Sequence, residues 1–314
     1  MSNIAQRDAF WNRIYERALV DKNIIVVSAD MGAPALDKFR RDLPGQFVNV
    51  GIAEQNGILI SSGMTLTGKK VFVYAIAPFI TLRCFEQIRV NSAIMNIPIT
   101  IVGVGAGFGY EDSGPTHHMI EDIAVMRALP NLVINSISDS VMAAAFADIS
   151  CDMRTTNYVR LDRMALPDIY RKDNDFSKGL AVLKESKDYY IVSTGSMVHV
   201  ALSVARRLAK KKVNIGVIDV YSIPVNEKGF VKAIKTAKKL ITLEEHFLPG
   251  GFGSAICEVL YDSHHLIPVK RLGLTIEKGY CYKYGGRNII REYYGLNEDA
   301  VCKEVSTFIK KDTR

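Results

Sequence analysis

Short β-branched runs alternate with helical stretches along the first half of the chain. Residues 4–20 repeat apolar positions at helical spacing and predict an amphipathic helix. Asn23–Ser28, Phe47–Val50, Lys70–Tyr74, Pro98–Val104 and Leu132–Asn135 predict strands. Between them, Glu54–Leu66, Pro78–Ser92, Ile120–Leu129 and Ser138–Ile149 predict helices. Short buried strands separated by helices define an α/β domain with a largely parallel sheet. The pattern breaks after Asn157–Asp162, and residues 166–186 read as a linker, polar and turn-rich through Lys178. A second alternating series follows, with strands at Tyr189–Thr194, Val213–Val220, Leu240–Leu243 and Val269–Leu274, and helices at 197–210, 226–238 and near 298–310. The expected organisation is two α/β domains, 1–165 and 187–314.

Composition narrows the classes. The chain has 314 residues, 48% hydrophobic and 23% charged, which excludes a disordered or collagen-like polypeptide. Five scattered cysteines without a Cys-x-x-Cys pair argue against a disulfide framework or a structural zinc site, and fit a reducing, cytoplasmic compartment. Val90–Tyr110 is uncharged and of membrane-spanning length. It contains Asn91, Asn96, Pro98 and glycines at 103, 105, 107 and 109, so it reads as a buried strand entering a glycine loop, not a membrane span. The N-terminus lacks an apolar signal core. The net charge of +7 is concentrated in Lys/Arg clusters at 206–212 and 228–239, at helical spacing. These read as solvated helix faces. No aromatic–basic interleaving accompanies them, so nucleic acid is not an expected partner, whereas a preference for small anions is compatible.

Four stretches could carry chemistry. Glu54 follows a strand and Gly51 and opens a helix whose residues 55–68 bear no charge. Such a helix is expected to be buried all round, which makes Glu54 a buried carboxyl with a raised pKa. The alternative is an acidic residue placed to complement the helix dipole. Phe79, Leu82 and Phe85 recur every three residues and would share one helical face, either packing the core or flanking a flat heteroaromatic ring. The loop Glu111–Asp122 carries Gly114-Pro-Thr116-His117-His118 where ligands gather in α/β proteins. Adjacent histidines rarely chelate one ion, and no third ligand is evident, so no metal site is assigned. The glycines before this loop do not fit Gly-x-Gly-x-x-Gly, which excludes a dinucleotide fingerprint. Glu244-Glu245-His246 with Gly250-Gly251-Phe252-Gly253 reads as a strand end and turn, either surface polarity or an interface.

Taken together, Ser28-Ala-Asp30, Val50-Gly-Ile-Ala-Glu54-Gln-Asn56, Gly114-Pro-Thr-His117, Met126-Arg-Ala-Leu-Pro-Asn131, Thr194-Gly-Ser196, Glu244-Glu-His246 and Gly250-Gly-Phe-Gly253 resemble the carboxyl-terminal half of transketolase, over essentially the whole chain. The resemblance implies a pyrimidine-binding domain followed by the transketolase carboxyl-terminal domain. It implies thiamine diphosphate as cofactor, with Glu54 hydrogen-bonded to the aminopyrimidine ring and favouring the imino tautomer that deprotonates the thiazolium carbon. Phe79, Leu82 and Phe85 match positions that enclose the pyrimidine, and Asp30 and Met31 match the loop lining the cofactor. His117 matches a catalytic-site histidine near the donor's hydroxyls. Arg7 and Arg163 match arginines that grip a sugar phosphate, with Arg160 a nearby rival. The implied reaction passes a two-carbon ketol unit from a ketose to an aldehyde.

The family's Gly-Asp-Gly…Asn motif for the diphosphate and metal is missing. The chain therefore resembles one subunit of a split transketolase. An N-terminal transketolase-like partner would hold the diphosphate and Mg2+ or Ca2+, two copies of each chain would form a heterotetramer, and this chain alone would be inert. Three positions depart from the family. A phosphate-contacting histidine falls at Gly105, a serine of the phosphate grip at Ala35, and an aspartate that reads an acceptor hydroxyl at Ser113. Each lost contact is worth roughly 1–3 kcal/mol, enough to point away from the standard pentose phosphate pair. A 2-oxo-acid dehydrogenase beta subunit shares the glutamate and the second-domain layout, but Gly-Pro-Thr-His and Arg163 before Leu166-Pro167 favour transketolase. A deoxyxylulose phosphate synthase-like activity would instead decarboxylate pyruvate. A non-catalytic regulatory subunit would need neither Glu54 nor the ring-flanking face.

Overall fold

The computed structural model describes residues 4–310, the side chain of Ala35 excepted. The helices are α1 (Gln6–Val20), α2 (Pro34–Asp42), α3 (Glu54–Leu66), α4 (Ala77–Ile80), α5 (Phe85–Ile88), α6 (Asp122–Met126), α7 (Ser140–Asp152), α8 (Met197–Ala209), α9 (Glu227–Ala233), α10 (Phe252–Asp262), α11 (Arg287–Tyr294) and α12 (Glu298–Lys310). Strands β1 (Ile24–Ser28), β2 (Phe47–Asn49), β3 (Lys70–Ile76), β4 (Thr100–Val104) and β5 (Leu132–Ser136) form where the β-branched runs predict, and with a further strand that was not expected, β6 (Thr156–Leu161), they pair in parallel. In the second half, β7 (Leu180–Lys184), β8 (Tyr189–Ser193), β9 (Gly216–Val220), β11 (Lys239–Phe247) and β12 (Val269–Leu274) form a sheet ordered β12-β11-β8-β9-β7. The remaining strand, β10 (Ser222–Ile223), follows β9 but crosses back. It pairs antiparallel with β5 as the edge of the first sheet, which is ordered β10-β5-β6-β4-β3-β1-β2.

Three expectations are corrected. The segment 166–186 is not linker throughout, because β7 lies inside it and pairs antiparallel with β9. Its irregular part is itself packed, with Tyr170 and Phe176 buried. The helix expected over Pro78–Ser92 is broken into α4, α5 and a π-helical turn, Arg89–Ile94. Side chains bond carbonyls at the break: Cys84 Sγ donates to Phe79 O at 3.2 Å and Gln55 Nε2 to Arg83 O at 3.1 Å, while Ala77 O accepts both the Thr81 amide at 3.1 Å and Thr81 Oγ1 at 2.6 Å. Phe79, Leu82 and Phe85 therefore do not share one helical face. Third, α3 is not buried all round. Leu59 and Leu66 are 45% and 68% exposed, because none of the described residues covers that side of the helix. Of the two readings left open for Glu244, Glu245 and His246, the structure favours the interface: they lie within β11 and are buried where the two domains meet.

That seam is held by charge. Arg287 Nη1 meets Asp162 Oδ2 at 2.7 Å, and its Nη2 meets Glu245 Oε2 at 2.5 Å. Arg291 Nε meets the other Glu245 oxygen at 2.6 Å. Burial alone would push the Glu245 carboxyl up, but the two guanidinium groups outweigh it and hold it down at about 2. Arg160 Nε and the Tyr158 hydroxyl both donate to Asp122 Oδ2, at 2.6 and 2.7 Å, all within the buried interior.

A second buried carboxyl ties three segments together. Asp219 Oδ2, on β9, accepts from Ser138 Oγ at 2.6 Å and from the Tyr170 hydroxyl at 2.8 Å, while its Oδ1 has no partner. Burial pushes this carboxyl up to about 7. An unfolded chain ionises Asp near pH 4. From about pH 4 to pH 7 the folded state keeps a proton that the unfolded state has lost, so this group's contribution to stability falls as pH rises through that window. Asp219→Asn should remove the fall, which is on the order of a few kcal/mol. Urea unfolding of both proteins at pH 5 and pH 8 measures the difference.

Candidate active site

The candidate residues gather at the carboxyl ends of parallel strands, where α/β sheets place their ligands. Glu54 starts α3 just beyond β2, after Gly51 at φ +72°. It is 4% exposed, and its Oε2 accepts from Arg83 Nη1 at 2.8 Å. The other oxygen, Oε1, has no hydrogen bond to a described residue.

From Glu54 a continuous run of contacts leads outward. The Arg83 guanidinium lies over the Phe79 ring, 4.3 Å from its centroid. Phe79 meets the His117 ring edge-on at 5.1 Å, and His117 lies 6.0 Å from the Tyr110 ring. Arg163 stacks on Tyr110 at 4.6 Å and pairs with Asp112 at 2.9 Å. Arg7, bonded to Asp8 at 2.8 Å, is close enough to Tyr74 and Tyr110 to couple to them electrostatically. Burial pushes the Tyr110 phenol up against the pull of Arg163 and Arg7, so it stays protonated at neutral pH. Thus Glu54, Phe79, His117, Arg163 and Arg7, far apart in sequence, share one site.

The other expected residues are placed differently. Ser113 is exposed, and its hydroxyl donates to Asp112 at 3.1 Å on the rim. The Ser113 hydroxyl and then Arg163 hold the Asp112 carboxyl below its ordinary range. Leu82, 39% exposed, sits in the turn between α4 and α5, and Phe85 is half-buried against the core of the first sheet. Asp30, at φ +52°, exchanges hydrogen bonds with Asn49 at 3.1 and 3.0 Å, and Met31 N donates to Ser28 Oγ at 3.3 Å. These two sit at the ends of β1 and β2. Arg160 is removed as a rival to Arg163 because it is buried on Asp122. Of the adjacent histidines, His117 belongs to the site and His118 to the interior, where burial lowers its pKa and neither ring nitrogen has a partner. Among the described residues, no group of three or more His, Cys, Asp or Glu side chains could hold a metal ion.

Sequence reasoning missed Arg83, Tyr110 and Asp112. Arg83 is the only charged residue between Lys70 and Glu86, an isolation that marks it in retrospect. Gly105 explains Tyr110: a Cβ there would fall 2.2 Å from the Tyr110 ring, and φ is +94°. The ring occupies the space that a side chain at 105 would fill.

Residues 2–168 match the pyrimidine binding domain of transketolase and residues 179–301 match the transketolase C-terminal domain. The chain belongs to the transketolase family. It is 36% identical over 312 residues to a subunit of apulose-4-phosphate transketolase from Phocaeicola vulgatus, covering 98% of each chain. It is 29% identical over 302 residues to a 6-deoxy-6-sulfo-D-fructose transketolase subunit of a Clostridium species, covering 95% of this chain and 92% of that one. A solved structure described as a split-gene transketolase, inactive beta4 tetramer, superposes with a TM-score of 0.85 at 31% identity, covering 98% of each chain.

The Arg83–Glu54 pair has one buried and one half-exposed partner, 5% for the Glu54 side chain and 45% for that of Arg83. A double-mutant cycle with Arg83→Met and Glu54→Gln should give a coupling energy of about 1–2 kcal/mol, discounted for Arg83's contact with water. Urea unfolding of the four proteins measures it.

Proposed function

We propose that this chain is one of the two polypeptides of a thiamine-diphosphate-dependent ketol transferase, in which Glu54 activates the cofactor. The observation that carries this reading is the Glu54 carboxyl, buried at a strand end with Oε1 unbonded. Beside it, Leu82 is exposed and Phe79 and Phe85 are half-buried. A free carboxyl oxygen next to incompletely covered apolar side chains fits an aminopyrimidine ring, which offers a polar edge and flat faces. When bound, the cofactor supplies a carbon nucleophile that amino-acid side chains lack. Glu54 shares a proton with the ring nitrogen from its buried position. Phe79, Leu82 and Phe85 hold the ring, and Asp30 and Met31 line its approach. His117 orients the sugar hydroxyls, Arg7 and Arg163 hold its anionic end, and Ser113 contacts the chain at the rim.

A partner chain supplies the diphosphate and divalent metal site, with Mg2+ or Ca2+ bound there. Three observations support a partner. The chain lacks Gly-Asp-Gly, its relative from Phocaeicola vulgatus is itself a transketolase subunit, and an apolar face surrounds Glu54. Ile52, Leu59, Leu66 and Leu82 are exposed there, as is Ile94 on the turn packed against α3. No charged residue lies between Glu54 and Lys69. A face of this kind is suited to burial against protein. A heterotetramer with two of each chain follows from this reading, and the second domain begins with β7 rather than at residue 187. The cytoplasmic location rests on the five cysteines, all free thiols. No helix among the described residues is long and apolar enough to cross a membrane.

With the partner chain present, Glu54→Gln and Glu54→Ala should lower ketol transfer by about 100-fold or more without unfolding the protein; near-normal turnover would remove Glu54 from the mechanism. Phe85→Ala should weaken cofactor binding to the pair several-fold by calorimetry. A large drop in melting temperature with unchanged affinity would assign Phe85 to the core alone. The purified chain with thiamine diphosphate and magnesium should transfer no ketol unit, and robust activity would overturn the two-chain reading.

A further inference from the structure

Tyr110 is held in place by the absence of other side chains. Gly105 and Gly109 pack against each other; a Cβ on Gly109 would lie 2.8 Å from Gly105 Cα. A Cβ on Gly105 would lie 2.2 and 2.4 Å from two atoms of the Tyr110 ring. Two glycines therefore make the room that this ring fills. Once there, the ring lies against the Arg163 guanidinium at 4.6 Å, near the His117 ring at 6.0 Å, and within electrostatic reach of Arg7. Its hydroxyl bonds to no described residue. A phenol positioned by its backbone, flanked by two cationic side chains and left with a free donor and acceptor, is arranged to meet a ligand.

We propose that Tyr110 is a specificity-determining residue, whose hydroxyl hydrogen-bonds to the hydroxyl-bearing carbon chain of an anionic sugar gripped by Arg7 and Arg163. The inference rests on the proposed function and names the substrate class at that site. The flanking guanidinium groups attract a phosphate or another terminal anion, and the phenol reads a hydroxyl beside it. A bare two-carbon aldehyde does not extend far enough to use either contact.

The experiment pairs Tyr110→Phe, which keeps the ring and loses the hydroxyl, with Tyr110→Leu, each assembled with the partner chain. KM is measured for glyceraldehyde 3-phosphate and for glycolaldehyde. The ratio of the two KM values should rise about 3- to 10-fold in the phenylalanine variant, the loss of one hydrogen bond, and further in the leucine variant. A purely structural role would move both KM values together, and that outcome, or no change, overturns the proposal. A second measurement needs no turnover. Calorimetry of ribose 5-phosphate with the cofactor-loaded pair should show weaker binding to Tyr110→Phe than to the unmodified protein. Equal affinity, or no binding by either, overturns the proposal. If the unmodified pair transfers no ketol unit yet binds ribose 5-phosphate through Tyr110, the reading of function fails and this inference stands.

Discussion

The architecture depends on one buried cation. Arg287, on a helix of the second domain, faces Asp162 at the end of a first-domain strand and Glu245 in the middle of a second-domain strand. Glu245 also accepts the Phe108 amide at 2.9 Å. The same side chain thus anchors the seam, the glycine loop and the base of the segment that carries Arg163. Buried ions are costly to desolvate and are tolerated only when fully paired. Glu245 belongs to Arg287's own domain and Asp162 to the other, so the full set of partners is assembled only when the two domains are docked. The site inherits its geometry from that docking, because the Glu111–His117 loop lies beyond it, with Glu111 Oε2 accepting the Arg287 amide at 2.6 Å.

Much of this was legible in the sequence, for physical reasons. Strands β1 and β4 of the first domain are short β-branched runs buried on both faces, which give a strong local signal. The helix beginning at Glu54 was legible to the residue because a glycine turn precedes it and an uninterrupted uncharged run follows. The interruption after Ile80 was not legible. There the Phe79 and Arg83 carbonyls are bonded by the side chains of Cys84 and Gln55, and such bonds depend on the folded arrangement. Arg83 and Tyr110 were missed for the same reason. An arginine over a phenylalanine and a tyrosine filling the space above a glycine are spatial facts, with no periodicity to announce them.

The misjudged burial of α3 has a different origin. Lack of charge predicts enclosure, and the apolar face is real. None of the described residues covers Leu59 and Leu66. Sequence patterning reports that a surface avoids water, but it does not report whether the covering atoms belong to the same molecule. The uncharged stretch after Glu54 therefore bears on assembly as much as on folding.

The two-residue strand at Ser222–Ile223 carries a lesson for dissecting the molecule. It is encoded after three strands of the second sheet, yet it shields the outer margin of Leu132–Ser136 in the first. Severing the polypeptide after residue 165 would strip that shield away and leave a bare ladder of amides and carbonyls open to other chains. The isolated amino-terminal fragment is thereby poised to clump, and the boundary that looks natural along the chain is a poor place to cut.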